Sequence, residues 1–319
     1  MDGTGNFYGV HSVTLYVDSV LVFRSVTDEV SPDENRMING FTDYEELMKN
    51  RRLIMRSHKL PGNKLRLLHT DENRGLVTID EERDYRFMYV LEDNFGNRRK
   101  YRFTVRGRKQ EIPEMKNDSC KTLCWNRTNV IQEPGMEFVI PRGMLYDDAP
   151  LSTAVAGDSS NLSFEYTLDA RHTPLHGFCQ LAIGIRNDTL ADKSKYYIRN
   201  RVGKWTSSVG GKYDNGWMKA DIRQWGNFSV AVDTIAPSVT PIGQNLWRTR
   251  RDIRFRVSDG QTGIASYKVL IDGKFVLFAL KKGVLIIQDP DKVKKGVPHT
   301  AEVIVADNCG NVTRKQYKF

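Results

Sequence analysis

The stretch YGVHSVTLYVD at residues 8–18 occurs a second time as TGIASYKVLID at residues 262–272, about 254 positions later. Each copy later closes on the same kind of turn, DNFGN at 93–97 and DNCGN at 307–311. Self-similarity over a supersecondary unit marks repeated modules, so both ends of the chain are predicted to carry the same β unit. The residues that define the two turns are Asp93, Asn94, Gly96, Asn97, Asp307, Asn308, Gly310 and Asn311.

Apolar and polar residues alternate on both sides of each turn. Residues 86–90 and 101–106 flank the first turn, and residues 301–306 and 315–319 flank the second. Strict alternation predicts half-buried strands, and a Gly-containing turn between two of them predicts a hairpin. We therefore predict an all-β chain of tandem immunoglobulin-like β-sandwich modules.

The two copies differ in what precedes them. The second follows the strand-like run IRFRV at 253–257, whereas only residues 1–6 stand ahead of the first, so its sandwich is expected to lack an N-terminal strand. Such a gap exposes unpaired backbone groups. An upstream part of a longer protein, or a partner, is expected to fill it, and we favour the C-terminal part of a larger protein over a genuine start at Met1.

Three units are predicted. The first spans 1–110 and carries an insertion at about 24–75 with one helix, expected after a capping box at 42–45. Short strands separated by Gly, Asn, Asp and Pro predict a central β-sandwich at 111–236, and the second copy completes a third at 237–319. The run from Ser12 to Phe23 is interpreted as one alternating strand.

The composition describes a globular chain with an excess of positive charge. The 319 residues are 27% charged and 39% hydrophobic, with a net charge of +9. No apolar run is long enough for a membrane-spanning helix, and no signal peptide is recognisable. The basic clusters at 98–100 and 247–251 lie in no recognisable nucleic-acid module, so nucleic acid is not an expected partner.

Cysteine and histidine give no convincing metal site. Cys120 and Cys124 have a C-x3-C spacing without a second ligand pair, which favours a small disulfide loop or two free thiols, and Cys179 is predicted to be buried. The pairing of these three cysteines with Cys309 is left open. His172 and His176 are spaced as on a helix, but Pro174 lies between them, so they are interpreted as solvated loop histidines.

Nothing in the sequence forms a catalytic constellation, so we do not expect an enzyme. The best binding candidates are Tyr213, Trp217 and Trp225, because flat aromatic rings among Asp and Asn suit sugar faces; the alternative is that these rings pack in the sandwich. The oxygen-rich turns at 93–97 and 307–311 could in principle bind calcium, but hairpin chemistry already accounts for them. No cofactor is expected in this chain.

Several segments resemble, in order, the C-terminal region of multidomain lysostaphin-type (LytM-like) zinc endopeptidases. They are residues 8–13, 33–39, 60–65, 173–176, 226–233 with Pro237, and 263–278. The resemblance implies β-sandwich modules behind an exported zinc domain that cleaves the peptide cross-links of peptidoglycan. It also implies a periplasmic or cell-envelope location and peptidoglycan as a partner.

The catalytic signature of that family is absent. It consists of H-x3-D and a later H-x-H, but Leu15 follows His11 at the fourth position and no H-x-H occurs, so no zinc ligand is carried over. Zinc is expected only in an upstream catalytic domain. We therefore predict a non-catalytic accessory region of a peptidoglycan-cleaving peptidase. The alternative is a free-standing cell-surface glycan-binding or adhesion protein.

Overall fold

The structure is a computed structural model that describes residues 10–110, 121–157, 162–170 and 172–319. Antiparallel sheets dominate it, which confirms the all-β prediction. Tyr8, Gly9 and Cys120 lie outside the described residues.

The described part of the first unit is one five-stranded sheet in the order β3-β2-β1-β4-β5. Its strands are β1 (Ser12–Val17), β2 (Val20–Val26), β3 (Leu68–Thr70), β4 (Asp84–Glu92) and β5 (Arg98–Arg106). The single strand predicted from Ser12 to Phe23 is wrong, because the chain turns back at Asp18 and Ser19, whose φ values are 48° and 72°. This pair of positive φ angles is typical of a two-residue hairpin turn, and it was missed because neither residue is glycine.

The insertion between β2 and β3 contains a 3-10 helix (Asn35–Met37), α1 (Ile38–Phe41) and α2 (Tyr44–Asn50). The predicted helix is confirmed, but its cap is displaced by one residue. Asp43, not Thr42, is the N-cap, and its side chain accepts a hydrogen bond from the backbone N–H of Glu46 at 3.2 Å.

The insertion also covers one face of the sheet. Phe41 and Leu65 from the insertion join Leu15 and Phe23 from the sheet in one buried cluster. In the C-terminal unit, Val269 holds the position that aligns with Leu15 and belongs to one buried cluster with Phe255 of a second sheet. The insertion therefore covers the face that a second sheet covers in the other copy.

The central unit consists of a six-stranded sheet, β13-β12-β16-β10-β9-β6, and a five-stranded sheet, β14-β15-β11-β8-β7. The strands are β6 (Lys121–Leu123), β7 (Asn129–Glu133), β8 (Met136–Ile140), β9 (Ala149–Ala156), β10 (Glu165–Asp169), β11 (Cys179–Gly184), β12 (Tyr196–Val202), β13 (Trp205–Gly210), β14 (Lys212–Asp214), β15 (Trp217–Ile222) and β16 (Gly226–Val232). Phe138, Leu181, Ile198 and Phe228 lie fully buried in the core of this unit.

The C-terminal unit consists of two four-stranded sheets, β17-β18-β22-β21 and β20-β19-β23-β24. Its elements are β17 (Ser238–Ile242), α3 (Trp247–Arg250), β18 (Arg254–Ser258), β19 (Ile264–Ile271), β20 (Lys274–Phe275), β21 (Phe278–Lys281), β22 (Val284–Ile287), β23 (Thr300–Asp307) and β24 (Val312–Lys318). Trp247 is completely buried beside Phe255, and its indole N–H donates to the carbonyl of Ile242 at 2.8 Å. The basic cluster 247–251 is thus anchored by a core tryptophan.

Candidate functional site

The insertion of the first unit docks on the central unit through Arg36. Its guanidinium donates to the carbonyl oxygens of His176 at 2.9 Å and of Leu175 at 3.1 Å. The hydroxyl of Tyr146 donates back to the carbonyl of Arg36 at 2.8 Å, and the N–H of Gly62 donates to the carbonyl of Tyr146 at 2.8 Å. We call these contacts the first joint.

Side-chain hydrogen bonds hold the insertion side of this joint in place. Glu34 is 6% exposed and accepts hydrogen bonds from the guanidinium of Arg66 at 2.8 and 2.9 Å. These bonds hold the pKa of Glu34 well below its usual range, so the carboxylate is ionised. The Asn63 amide donates to the carbonyl of Met37 at 3.1 Å and links the two ends of the insertion.

Both candidate histidines lie at the first joint. Nδ1 of His176 is 2.8 Å from the Tyr146 hydroxyl, while Nδ1 of His172 is 3.0 Å from a carboxylate oxygen of Glu45 on α2. Burial, together with Arg36 and Lys64, lowers the pKa of His176. The interpretation of His176 as a solvated loop residue is therefore wrong, because its ring is half-buried between two units.

The linker after β16 forms a second joint with the C-terminal unit. The carboxylate of Asp233, which is fully buried, accepts a hydrogen bond from the hydroxyl of Thr262 at 2.7 Å. The carbonyl of Asp233 accepts from the side-chain amide of Asn311 at 2.9 Å. From the central unit, Lys195 donates to the carbonyl of Cys309 at 2.9 Å. The turn 307–311 is therefore the contact surface of this joint.

Three carboxylates meet at the second joint. One ligand oxygen from each of Asp233, Asp259 and Asp307 lies within 4.8 Å of the others. Carboxylate oxygens are the ligands that calcium prefers. These carboxylates are already engaged by the protein: Asp259 accepts three backbone N–H groups at 2.7–3.0 Å, and Asp307 accepts bonds from Cys309 and Asn311. The cluster offers oxygen ligands, but the hydrogen bonds of the joint also account for its geometry.

The three predicted aromatic residues have different environments. Trp225 is 8% exposed, packs edge-on against Phe138, and donates its indole N–H to the carbonyl of Thr173 at 2.7 Å. Trp217 is 37% exposed at the β14–β15 turn. Tyr213 is half-buried, stacks on Tyr196, and donates its hydroxyl to Asp188 at 2.6 Å. Tyr213 lines a groove that neither Trp217 nor Trp225 lines, so the three do not form one surface.

The groove beside Tyr213 has a volume of about 590 Å³ and lies at the open edge between β13 and β14. Polar side chains of both signs line it: Gln180, Lys212, Asp214, Lys219 and Asp221. Lys219 pairs with Asp214 at 2.6 Å. The side chains of Gln180, Lys212 and Asp221 are exposed and make no hydrogen bond to other described residues. Sequence analysis did not select these three, because they become neighbours only when β11, β14 and β15 pair.

Two of the three described cysteines, Cys179 and Cys309, have buried thiols of low reactivity. Cys124, Cys179 and Cys309 form no disulfide with one another. Cys179 is buried, as predicted, and burial raises its pKa to about 12 and that of Cys309 to about 11. Thiols with such pKa values stay protonated near neutral pH.

The two turns differ in the carboxylates that surround their aspartates. Each aspartate of the turns spends one carboxylate oxygen on backbone N–H groups, which is ordinary hairpin chemistry. Among the described residues, only the second turn brings its aspartate, Asp307, near two further carboxylates.

Comparisons with known proteins give one family match. Residues 120–233 match the family model described as the Zu5-like domain. This range is about a third of the chain and falls within the central unit, so the central unit is similar to Zu5-like domains. No curated protein matches the chain.

Two solved structures are similar over most of the chain at very low identity. One is described as a Ca²⁺-stabilized adhesin that helps an Antarctic bacterium reach out and bind ice; it is 10% identical, covering 98% of this chain and 89% of that chain, with a TM-score of 0.16. The other concerns host cell surface retention of a 1.5-MDa bacterial ice-binding adhesin; it is 10% identical, covering 99% of this chain and 86% of that chain, also with a TM-score of 0.16. At that TM-score neither structure superposes on this chain. Among the described residues, no helix is long and apolar enough to cross a membrane.

Proposed function

We propose that this chain is a non-catalytic glycan-binding protein of the cell surface, with its ligand held in the Tyr213 groove of the central unit. The observation that carries the proposal is the lining of that groove. A fixed aromatic ring stands beside Lys212 and Asp221, whose side chains make no hydrogen bond or ion pair among the described residues. Sugars present apolar faces and hydroxyl groups together, and such a lining can stack against the first and bind the second.

The ring of Tyr213 is well positioned for this role. Its hydroxyl is held by Asp188, and its face stacks on Tyr196 with a centroid separation of 6.3 Å. Lys193 lies 5.3 Å from the Tyr213 ring centroid and pairs with the same aspartate. A ring that is already fixed loses little conformational entropy on binding.

Lys212 and Asp221 supply a cation and an anion without competing ion pairs in the described part of the chain. Lys212 faces Lys219 in register across β14 and β15, and Asp214 neutralises Lys219. The charged lining consists of two lysines and two aspartates, so it can bind both anionic and cationic groups of a ligand. The resemblance to wall-peptidase tails makes peptidoglycan the first ligand to test.

The test is co-sedimentation of the whole chain with purified peptidoglycan sacculi, together with a microarray of soluble oligosaccharides. A double variant, Lys212→Met with Asp221→Asn, should bind about tenfold more weakly than the parent chain, because each removed group costs a hydrogen bond to the ligand. Lys204→Met, at the exposed turn between β12 and β13, is the matched control and should bind normally.

Failure of the parent chain to bind any glycan would overturn the proposal, as would equal binding by the groove variant. The melting temperatures of all three proteins should agree, because the replaced side chains are exposed. A role as the accessory region of a wall-cleaving peptidase stays a prediction. It requires binding to sacculi in particular, whereas a general adhesin would bind other glycans on the array.

A further inference from the structure

The two related turns have the same internal structure. In the first, Asp93 Oδ1 accepts from the N–H groups of Phe95 at 2.8 Å and Asn97 at 2.9 Å. In the second, Asp307 Oδ1 accepts from Cys309 at 2.9 Å and Asn311 at 2.8 Å. In both, the asparagine amide also donates to the other aspartate oxygen at 2.8 Å. Each turn is therefore preformed by its own hydrogen bonds, whether or not anything docks on it.

The surroundings of the two turns are opposite. Cys309 is 3% exposed, whereas Phe95, at the same position of the first turn, is 92% exposed. Two outward-facing groups of the second turn bind the central unit: the Cys309 carbonyl accepts from Lys195, and the Asn311 amide donates to the Asp233 carbonyl. The corresponding Phe95 carbonyl and second amide hydrogen of Asn97 have no partner among the described residues.

The first turn lies at one end of its sheet, as the second turn does. The linker from the central unit reaches the C-terminal unit beside the second turn, where the Asn311 amide donates to the carbonyl of Asp233. Beside the first turn, the N–H of His11, just ahead of β1, donates to the carbonyl of Glu92 at 2.8 Å. The contacts between the first and central units lie elsewhere, on the insertion. The first turn therefore makes no hydrogen bond to another unit in the part of the chain that the structure describes.

We propose that the turn 93–97 is a docking site for a further β-sandwich module, which would sit on it as the central unit sits on the turn 307–311. The chemistry of the partner follows from the second joint. It must offer a backbone carbonyl for the Asn97 amide, a lysine for the Phe95 carbonyl, and an apolar pocket for the Phe95 ring. An exposed aromatic ring at the centre of such a contact is a typical binding anchor.

A second copy of this chain does not meet these requirements. Its central unit has the matching carbonyl on Asp233, but that residue is completely buried and already bound to its own Asn311. Its Lys195 is likewise bound to its own Cys309. This surface of a second copy is already occupied, so the occupant we propose is a further module rather than a second copy.

The test replaces Phe95 by the photoreactive analogue benzoylphenylalanine in the full-length chain, produced in the cells that naturally make it. The same replacement of Phe275, a 57% exposed aromatic ring at the β19–β20 hairpin, is the matched control. Irradiation should give about tenfold more cross-linked product at position 95 than at 275. Mass spectrometry should place the attachment at the end of a β-sandwich module, where its last strand meets a linker.

Three results would overturn the proposal: no product at position 95, equal yields at 95 and 275, or attachment either to a second copy of this chain or to anything other than a β-sandwich module. In the chain without the photoreactive residue, Phe95→Ser should abolish co-purification of the module that cross-linking identified. The melting temperature of the chain should not fall. Neither experiment depends on glycan binding, so the outcome is independent of the function proposed above.

Discussion

The hydroxyl of Tyr146 lies 2.8 Å from Nδ1 of His176, and both residues of the central unit are held by Arg36 of the first unit. Tyr146 donates its one hydroxyl hydrogen to the carbonyl of Arg36. His176 must therefore donate from Nδ1, which fixes the tautomer of its neutral ring. A single phenol thus connects the insertion to a histidine that is distant in sequence.

Tyr146→Phe should weaken the first joint. The change leaves the Arg36 carbonyl and His176 Nδ1 each one hydrogen bond short, which costs about 1–2 kcal/mol of unfolding free energy. Urea denaturation measures the loss. Tyr101→Phe, on an exposed ring without a hydrogen bond to the described residues, is the control and should change little. Equal stability of the two variants would contradict the importance of this contact.

Gly62→Ala should also destabilise the first joint. A Cβ atom at position 62 would lie 2.6 Å from the backbone carbonyl oxygen of Leu145, which cannot move aside without disturbing the docking of the insertion. We expect a loss of about 1–3 kcal/mol in unfolding free energy. Gly260→Ala is the control, because a Cβ atom there meets no atom within 4 Å. A neutral Gly62→Ala would show that the two units separate easily.

The contributions of His176 and His299 to the stability of the chain should change with pH in opposite directions. The pKa of His176 is lowered, so the folded state favours its neutral form, and its contribution to stability is present above pH 6.5 and declines as pH falls below that value. Burial by itself lowers the pKa of His299. Its hydrogen bonds to the carboxylate of Asp272 at 2.5 Å and the carbonyl of Lys294 at 2.9 Å outweigh burial, and the net shift is upward.

The contribution of His299 is therefore present below pH 6.5 and is lost as pH rises through its raised pKa. Urea unfolding of the parent chain, His176→Gln and His299→Gln at pH 5.5 and 8.5 separates the two effects. The loss caused by His176→Gln should be larger at pH 8.5, and the loss caused by His299→Gln larger at pH 5.5. Losses that are independent of pH would refute both assignments.

Thr262→Val should loosen the second joint. The variant keeps the shape of the side chain but removes the hydroxyl that donates to the fully buried carboxylate of Asp233 at 2.7 Å. Leaving that oxygen one bond short costs about 1–3 kcal/mol of unfolding free energy. Thr104→Val on the exposed face of β5 makes the same chemical change without a buried partner and should be neutral.

Chelation should leave the second joint intact. The oxygens of Asp233, Asp259 and Asp307 already accept hydrogen bonds from the protein, so the joint does not depend on a cation for its partners. We expect the same melting temperature in EDTA and in calcium chloride. A rise in melting temperature with calcium that Asp259→Asn removes would instead identify the three carboxylates as a calcium site.

The sequence by itself determined the local β structure. Alternation with a period of two specified β4, β5, β23 and β24, because successive side chains of a strand face opposite sides of its sheet. The Asp, Asn and Gly residues of the repeated turns specified both hairpins through bonds that span at most four positions. The strand predicted across Asp18 failed because that turn uses positive φ angles without glycine.

The tertiary structure decided which of these elements contact another unit of the chain. Arg36 and Tyr146 are separated by 110 positions, and Asp233 and Asn311 by 78, so no local pattern could predict either contact. The segments at 33–39, 60–65 and 173–176 are distant in sequence. They come into contact because the insertion folds onto the central unit. The same physical reason explains the opposite exposure of Phe95 and Cys309: a turn of local hydrogen bonds folds identically in both places, but its burial depends on the surface that packs against it.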